Sequence, residues 1–384
     1  MRTTCNRREF LQICGFFCSS LPVFGRTPIL SRCPTQTPVS LEEKIGQMLM
    51  VGFRGLEVSG SHPIVQDIRF RHIGGVVLFD YDIPANSPVR NVESPNQLKS
   101  LVSSLQSYTR TPLFIAVDHE GGRITRLKEK FGFPETFSAK FLGERDDLEL
   151  TLKHADTMAQ QLSRLGINLN LAPVVDLNTN PDNPIIGSLE RSFSADPDAV
   201  IRHASVFILA HHRQKVLCTL KHFPGHGSSS EDSHLGMVDI TETWAEGELL
   251  PYKKLIQRGQ VDAIMTAHVF NKDLDPEYPA TLSKRIITGI LRERLNYKGV
   301  VISDDMQMGA ITSGYGLETA IHKAINADVD ILAFANNSTF DAEIATKAVK
   351  IIRKLLAKKV ISLSRIDESY SRIQRLKSRW IASS

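Results

Sequence analysis

The sequence predicts an α/β fold, a single (β/α)8 barrel of the TIM type, preceded by an N-terminal export segment and a linker. Three observations predict the barrel. Short runs rich in β-branched residues alternate with helical segments from residue 40 onward. The runs are apolar on both faces, as are parallel strands buried under helices. Ionisable side chains follow the ends of these runs, and in a barrel all such ends meet at one mouth.

The strands are predicted from apolar runs that end in polar or glycine-rich loops. They cover residues 48–53, 74–79, 112–117, 167–175, 215–220, 262–267, 299–303 and 329–335. About eight strands in roughly 340 residues, each followed by a helix, agree with the size of such a barrel.

The helices are predicted from apolar residues three and four apart, as at Ile286, Ile287 and Ile290. The first begins after Ser40, because a serine followed three residues later by Glu43 has the spacing of a capping box. The other predicted helices cover residues 96–109, 148–165, 197–213, 245–258, 282–295, 317–326, 341–357 and 363–379.

Polar residues at the predicted strand ends distinguish the barrel from its alternative, a doubly wound open sheet. An open sheet would spread them along an edge, whereas a barrel brings them together. The residues are Asp118, Asp176, Lys221, His222, His268 and Asp304. Since no internal repeat or second boundary follows, residues 40–380 are predicted to form one domain.

The net charge of +4 over 384 residues belongs entirely to the N-terminus. Residues 1–36 hold five arginines and one glutamate, which leaves 41 basic and 41 acidic residues in the remainder. A neutral body lacks the basic surface typical of nucleic-acid-binding proteins. No apolar run approaches the roughly 20 residues of a membrane span, so no stable span is expected.

The N-terminus has the features of a targeting segment. Residues 6–12 resemble a twin-arginine export motif, and a modest apolar stretch follows at 13–24. We therefore predict a signal segment at 1–25, a Pro-, Thr- and Ser-rich linker at 26–39, and a periplasmic or otherwise exported protein, with the cytoplasm as the alternative. Only one cysteine, Cys218, follows the linker, and we expect it to be a buried small apolar residue.

The segment with the densest chemistry is Lys221–Gly227, followed by Asp232 and His234. A carboxylate two residues from an imidazole can hydrogen-bond to it and stabilise its protonated form. A general acid/base near neutral pH needs this property. The sequence therefore predicts Asp232 and His234 as an acid/base pair on a loop.

A metal site is the sharper alternative for this segment. Catalytic zinc uses three protein ligands and an open position. The available side chains are His222, His226, Asp232, His234 and His268. Their spacing matches no metal-hydrolase signature such as HExxH, so we expect no metal.

A second carboxylate follows the predicted strand at 299–303. Asp304 stands where a side chain faces substrate at a barrel mouth, and a carboxylate there could attack an anomeric carbon. The alternative is that Asp304 or Asp305 caps the next helix. We predict that Asp304 is catalytic and Asp305 structural.

Two further loops have the composition of sugar-binding loops. Asp118 ends one strand, and Arg126 follows it within the same loop. Arg191 follows a turn-rich segment at 178–187 that contains two prolines. A surface ion pair is the alternative for either arginine alone.

These motifs together resemble glycoside hydrolase family 3, and within it the β-N-acetylglucosaminidases. The resemblance covers residues 40–380 and rests on separated segments in matching order: Asp118–Arg123, Arg191–Phe193, Lys221–Gly227, Asp232–His234 and Ser303–Asp305. One departure is Ser228–Ser229, where the family often has Asp-Thr.

The resemblance implies a (β/α)8 barrel and a retaining exo-β-N-acetylglucosaminidase that needs no cofactor. Asp304 would be the nucleophile and His234 with Asp232 the acid/base. The sugar contacts would be Asp118, Arg126, Arg191, Lys221 and His222. The expected substrate is a carbohydrate or muropeptide, in peptidoglycan turnover. A β-glucosidase, a metal-dependent hydrolase and a non-catalytic muropeptide-binding protein remain the alternatives.

Overall fold

A computed structural model describes residues 39–380 of the chain. Its centre is a sheet of eight parallel strands, all buried. They are β1 Leu49–Gly52, β2 Gly75–Leu78, β3 Phe114–Val117, β4 Leu169–Asn170, β5 Leu217–Phe223, β6 Ala263–Thr266, β7 Val300–Ile302 and β8 Leu332–Phe334. Each predicted strand is present, although β4 is much shorter than predicted.

The sheet closes on itself. Neighbours along the chain pair from β1 to β7, and β8 pairs with β1, as between Leu49 and Leu332. A parallel bridge between Ile302 and Ile331 joins the remaining two edges. The predicted (β/α)8 barrel is therefore confirmed, and the open sheet is wrong. Such a barrel gathers its active-site residues at the C-terminal ends of the strands.

The helices cover the outside of the barrel. They are α1 Leu41–Gln47, α2 Pro63–Arg71, α3 Pro95–Ser107, α4 Ala139–Arg145, α5 Leu148–Leu165, α6 Pro197–Arg213, α7 Leu250–Gln257, α8 Gly309–Thr312, α9 Leu317–Asn326, α10 Ile344–Ala357 and α11 Leu363–Trp380. The predicted helix at 245–258 is divided, with a 3-10 turn at Glu246–Leu249 before α7. Pro251 lies in the first turn of α7. Backbone N–H groups there make no intrahelical hydrogen bond, so proline, which has no N–H, is tolerated.

The helix predicted at 282–295 is a π-helix, Arg285–Arg294. Its buried positions come in pairs five residues apart, Ile286 with Leu291 and Ile287 with Arg292. The i→i+5 hydrogen bonding of a π-helix places such pairs on one side. The apolar spacing predicted a helix correctly but could not show that Arg292 also faces inward.

Buried charges tie the last helix to the base of the barrel. We call Arg292, Asp328, Asp330, Arg365 and Arg372 the basal cluster. Asp330 is fully buried, and its two oxygens contact all three arginines at 2.7–2.9 Å. Burial alone would raise the pKa of Asp330, but the charges of Arg292 and Arg365 outweigh it and hold the pKa below its ordinary value.

Replacing Asp330 by asparagine is expected to destabilise the protein by about 3–5 kcal/mol, because three guanidinium groups with little access to solvent would then share one carboxylate. Urea unfolding followed by circular dichroism measures this. Since the lowered pKa lies below the unfolded value of about 4, Asp330 contributes its stability fully above that pH and loses it on acidification.

The matched comparison is Glu318→Gln, which removes an exposed pair with Lys354. We expect that variant to unfold as the parent does. Equal unfolding of the parent and the Asp330→Asn protein at pH 7 would show that the basal cluster does not hold α11.

Some sequence predictions lie outside the described residues: the signal segment at 1–25, the linker except Val39, and Cys5, Cys14, Cys18 and Cys33. Cys218 is buried on β5, as expected. Within residues 39–380, no helix combines the length and apolar character needed to cross a bilayer.

Candidate active site

A cavity of about 320 Å³ opens at the C-terminal ends of the strands. Seven of the eight residues predicted for the site line it: Asp118, Arg126, Arg191, Lys221, His222, His234 and Asp304. The eighth, Asp232, contacts His234 from behind. The cavity wall is otherwise largely apolar, with residues such as Met50, Val77 and Met265. Such a lining with a few converging polar groups is typical of a small-molecule site.

A hairpin after β3 brings Asp118 and Arg126 together. Short strands at His119–Gly121 and Ile124–Thr125 pair antiparallel, and Arg126 N donates to Asp118 O over 3.1 Å. Gly121 and Gly122 form the turn with φ of 105° and 56°, which glycine adopts without strain. A Cβ on Gly121 would lie 2.2 Å from Phe137 O, so no other residue fits there.

An ion network forms the floor of the cavity on this side. Lys221 Nζ lies 2.8 Å from Asp118 Oδ1 and 2.6 Å from Glu120 Oε1. Arg126 Nη2 is 3.1 Å from Asp118 Oδ2. Arg191 binds Glu120 with two parallel bonds, from Nε at 2.8 Å and from Nη2 at 2.7 Å. Bidentate pairs of this kind fix the orientation of both groups.

The network keeps both carboxylates ionised. Burial alone would raise the pKa of Asp118, but Lys221 and Arg126 hold it well below its ordinary value. Burial also acts on Glu120, and Arg191 and Lys221 again lower its pKa. Fixed ionised acceptors beside fixed cationic donors can hold several hydroxyl groups of one sugar.

Asp176, after β4, holds the backbone of the Lys221–Gly227 loop. Its Oδ1 accepts from the backbone N of His222 at 3.1 Å and of His226 at 2.9 Å, and its Oδ2 lies 2.7 Å from His222 Nδ1. Since Asp176 is an acceptor, His222 Nδ1 carries the proton, and Nε2 faces Arg191 Nη2 at 3.2 Å. The orientation of His222 therefore depends on Asp176.

Asp232 and His234, which were predicted as an acid/base pair, contact each other on the loop after β5. His234 Nδ1 lies 2.7 Å from Asp232 Oδ1, which also accepts from His234 N at 2.8 Å. The carboxylate fixes the proton on Nδ1, so Nε2 is the nitrogen available to substrate. The side chain of His234 is 54% exposed, which leaves it open to a leaving group that extends into solvent.

This loop is attached to the segment after β7. Gly309 N donates to His234 O over 3.2 Å, and Ala310 N donates to Ser233 O over 3.2 Å. A Cβ on Gly309 would lie 2.7 Å from His234 O, so glycine permits the approach. The loop that carries Asp232 and His234 is therefore hydrogen-bonded directly to the segment that follows β7 and Asp304.

Asp304 directly follows β7, and its carboxylate is fixed by one backbone bond, from Asp305 N to Oδ1 over 2.8 Å. Burial would raise its pKa, but the imidazoles of His268 and His222 outweigh this and hold the pKa below its ordinary value. A half-buried, ionised carboxylate that accepts one hydrogen bond from the described residues retains lone pairs for attack on substrate. No helix-capping bond involves Asp304, so the capping alternative is wrong.

Asp305 has the structural contacts that were predicted for it. Its Oδ1 accepts from Gln307 N at 3.1 Å and from Ala335 N at 3.0 Å. Burial raises the pKa of Asp305 to about 6. The side chain joins the loop after β7 to the residue after β8.

The candidate metal ligands do not converge. His226 contacts Ser229 and Ser233, and burial lowers its pKa to about 4. His268 contacts Thr281 Oγ1 at 2.8 Å and Asp305 O at 2.9 Å. Within residues 39–380, no group of three or more histidine, cysteine or acidic side chains is arranged to hold a metal ion.

Glu120, Asp176 and Glu248 were not assigned a role from the sequence. Asp176 was recognised only as a strand-end residue, and Glu120 lies two positions beyond the assigned Asp118. Glu248 is buried behind the loop, where its Oε2 accepts from Gly227 N at 3.3 Å. It lies in the 3-10 turn before α7, outside every motif of the sequence, so no local signal pointed to it.

Replacing Glu248 by glutamine is expected to make stability less sensitive to pH. Burial raises the pKa of Glu248 to about 7, well above an unfolded value of about 4. The contribution of neutral Glu248 to the stability of the fold is therefore fully present below pH 4 and is lost as pH rises to 7. Between pH 4 and pH 8, the free energy of unfolding of the variant should therefore increase by roughly 3 kcal/mol relative to that of the parent.

Urea unfolding of both proteins across this range measures the difference. Parallel pH curves for parent and variant would contradict the assignment of a neutral Glu248 in the folded protein. The exposed Glu144→Gln variant provides the comparison, and it should follow the parent at every pH.

The family model for the glycosyl hydrolase family 3 N-terminal domain matches residues 40–376. A β-hexosaminidase of Tolumonas auensis is 36% identical over 293 residues, which are 75% of this chain and 83% of that protein. The β-hexosaminidase A of Pseudoalteromonas piscicida is 31% identical over 382 residues, and here the chain covers 62% of the relative.

A solved structure shows the same architecture. The family 3 β-N-acetylglucosaminidase from Paenibacillus sp. str. FPU-7 superimposes with a TM-score of 0.82 and is 35% identical. The match covers 90% of this chain and 64% of that protein, which is therefore considerably longer.

Proposed function

We infer from its membership of glycosyl hydrolase family 3 that this chain is a β-N-acetylglucosaminidase, and we propose that it works by retention with Asp304 as nucleophile. The observation that supports the mechanism is one cavity lined by a half-buried, ionised Asp304 and by the Asp232-oriented imidazole of His234. Retaining glycosidases need a nucleophile and an acid/base of this kind.

The sugar is held by the ion network. Asp118 accepts from its hydroxyl groups, while Lys221, Arg126 and Arg191 donate to them, and Glu120 holds Arg191 and Lys221 in place. His222 presents Nε2 from a ring fixed by Asp176. Because these groups are already oriented by one another, binding requires little further ordering of the site.

In the first step, Asp304 attacks the anomeric carbon and the bond to the leaving oxygen breaks. The His234 Nε2 proton passes to that oxygen, and a glycosyl-enzyme forms on Asp304. In the second step, neutral His234 takes a proton from water, which attacks the same carbon and releases Asp304. Two displacements restore the original configuration. Asp232 stabilises the imidazolium in each step.

A peptidoglycan fragment with terminal β-linked N-acetylglucosamine is the natural substrate that we propose. The support is the resemblance of the motifs at 118–123, 221–227 and 232–234, together with the exposure of His234 toward a large leaving group. Release of N-acetylglucosamine from purified muropeptides tests this proposal. Cleavage of chito-oligosaccharides alone would point to another substrate.

We also propose that the protein is exported. The support is the twin-arginine-like segment at 6–12, followed by an apolar stretch. Fractionation of cells that express the full chain, with and without an Arg7→Lys, Arg8→Lys double substitution, tests this. Cytoplasmic location of both proteins would favour the alternative compartment.

Hydrolysis of 4-nitrophenyl N-acetyl-β-glucosaminide by the full chain is the first test of the activity. We expect turnover that exceeds the rate on the matching glucoside, that chelator leaves unchanged, and that gives the β-anomer first by proton NMR. Preference for the glucoside would indicate a β-glucosidase, loss with chelator a metal-dependent hydrolase, and sugar binding without turnover a binding protein. The α-anomer as first product would overturn retention.

A further inference from the structure

The carboxyl group of Glu248 lies against the backbone of the loop after β5. The residue is only 2% exposed, and its Oε2 accepts from Gly227 N over 3.3 Å. A Cβ on Gly225 would lie 2.5 Å from the same oxygen, so glycine permits this approach. Trp244, four residues before Glu248, donates from Nε1 to Pro224 O over 3.1 Å. The segment before α7 and the loop are therefore joined at two points.

Hydrogen bonds lead from this contact to the acid/base pair. Gly227 directly follows His226, whose Nδ1 lies 2.8 Å from Ser229 Oγ and whose Nε2 lies 3.1 Å from Ser233 Oγ. Ser233 directly precedes His234. A displacement of the backbone at Gly227 would therefore be transmitted to His234 through the side chain of His226.

The surroundings of Glu248 contain buried polar atoms without partners. Within residues 39–380, Glu248 Oε1, Ser228 Oγ and Tyr252 Oη form no hydrogen bond. Buried polar groups in native proteins are nearly always satisfied, so such exceptions require an explanation. A carboxylate can only accept, whereas a carboxylic acid also has an O–H to donate. The neighbouring Ser228 Oγ is an acceptor for that O–H.

The charges that face Glu248 favour its neutral form. Asp176, after β4, is fully buried and binds the same loop through the backbone N of His222 and of His226. Burial raises the pKa of Glu248 to about 7, the charge of Asp176 contributes to the rise, and the Ser228 hydroxyl opposes it only in part. From α7, Tyr252 faces Glu248 with a phenol. Neither Asp176 nor Tyr252 offers a positive charge that could offset a second buried carboxylate.

We propose that neutral Glu248 positions the loop that carries His234, and that ionisation of Glu248 displaces this loop and lowers activity. Glu248 does not line the cavity, so it acts through the loop and is a positioning residue. The inference rests on the proposed function, in which His234 is the acid/base. The effect should fall on kcat rather than on KM, because Asp118, Arg126 and Arg191 hold the sugar from other loops.

The kinetic experiment compares the parent with Glu248→Gln on 4-nitrophenyl N-acetyl-β-glucosaminide at pH 6 and pH 8. Glutamine has the shape of the neutral acid and cannot ionise. From pH 6 to pH 8, kcat of the parent should fall about tenfold more than kcat of the variant, because a group with a pKa of about 7 loses most of its protons in this interval. KM should differ by less than about twofold between the two proteins. The titration of His234 is common to both and cancels in the comparison, and the exposed Glu144→Gln variant should follow the parent.

The fluorescence of Trp244 measures the loop without requiring turnover. The chain has two tryptophans, so Trp380→Phe leaves Trp244 as the reporter. Because its indole is bonded to Pro224 O, displacement of the loop should change the emission. We expect a transition between pH 6 and pH 8 in the Trp380→Phe protein and none when Glu248→Gln is added. Urea unfolding at pH 6 verifies that each variant is folded.

Two results would overturn the proposal. One is an equal fall of kcat from pH 6 to pH 8 in the parent and in Glu248→Gln. The other is a Trp244 emission that stays constant across this interval in the Trp380→Phe protein, a result that does not depend on the folding of any Glu248 variant. A parent without turnover would count against the proposed function, whereas the fluorescence comparison would still test Glu248.

Discussion

Asp304→Ala is expected to lower kcat/KM on 4-nitrophenyl N-acetyl-β-glucosaminide by about 10⁴- to 10⁶-fold, the range seen when a covalent nucleophile is removed. The physical reason is the position of Asp304, which lines the cavity at the end of β7 and keeps a lowered pKa, so that it is ionised at neutral pH. Initial rates at several substrate concentrations measure the loss.

Added azide provides a specific check, because the small anion fits the space that the carboxylate leaves. It should restore part of the rate and give a glycosyl azide of α configuration, since only one displacement then occurs. The control is Asp67→Asn, which changes a buried aspartate on α2 that does not line the cavity. A variant that keeps more than about a tenth of wild-type activity would show that Asp304 is not the nucleophile.

His234→Ala is expected to lower kcat by about 10²- to 10⁴-fold on a substrate whose leaving group needs a proton, such as a methyl glycoside. With a 2,4-dinitrophenyl leaving group, departure needs no protonation, so the first step should proceed almost normally. The second step still lacks its base, and a burst of dinitrophenol followed by slow turnover is therefore expected. Stopped-flow absorbance measures both phases.

His322→Ala on α9 is the matched control, with an imidazole remote from the cavity, and it should behave as the wild type. An equal loss on both leaving groups, without a burst, would contradict the acid/base role. Asp232→Asn should give the same pattern as His234→Ala in weaker form, because the imidazole remains but its charge partner is neutral.

The barrel was predictable because its strands satisfy a simple physical rule. Strands covered on both faces are apolar throughout, and the rule identified residues 74–79 and 112–117 from composition alone. The rule failed for the extent of β4. Residues 171–175 are equally buried, but only Leu169 and Asn170 have the regular pairing of a strand. The pattern of apolar side chains predicts which residues are buried, whereas the hydrogen-bond pairing of a strand depends on the path of the neighbouring backbone.

The site was predictable where function follows strand ends. Asp118, Lys221 and Asp304 each directly follow or end an apolar run, and all three line the cavity. Asp80 also follows an apolar run, two residues beyond β2, and lines the cavity beside Lys128, but it was not predicted because it belongs to none of the motifs.

Glu120 was missed for another reason. Its role depends on its contact with Arg191, which lies 71 residues away along the chain. The local sequence pattern does not predict a contact between residues so far apart. The same holds for Glu248 and Gly227, which lie on different elements and meet only in the folded chain.

The basal cluster has a consequence for synthesis on the ribosome. Asp328 and Asp330 directly precede β8, and two of their three arginine partners lie on α11, the last helix described. While the chain emerges, β1 and β7 are therefore open edges until β8 inserts. The carboxylates before β8 have two of their three arginine partners on α11, which is made after β8. Unpaired strand edges of this kind can form hydrogen bonds with the strands of other chains. We expect nascent chains that end before Arg365 to be bound by chaperones, and release to coincide with emergence of α11.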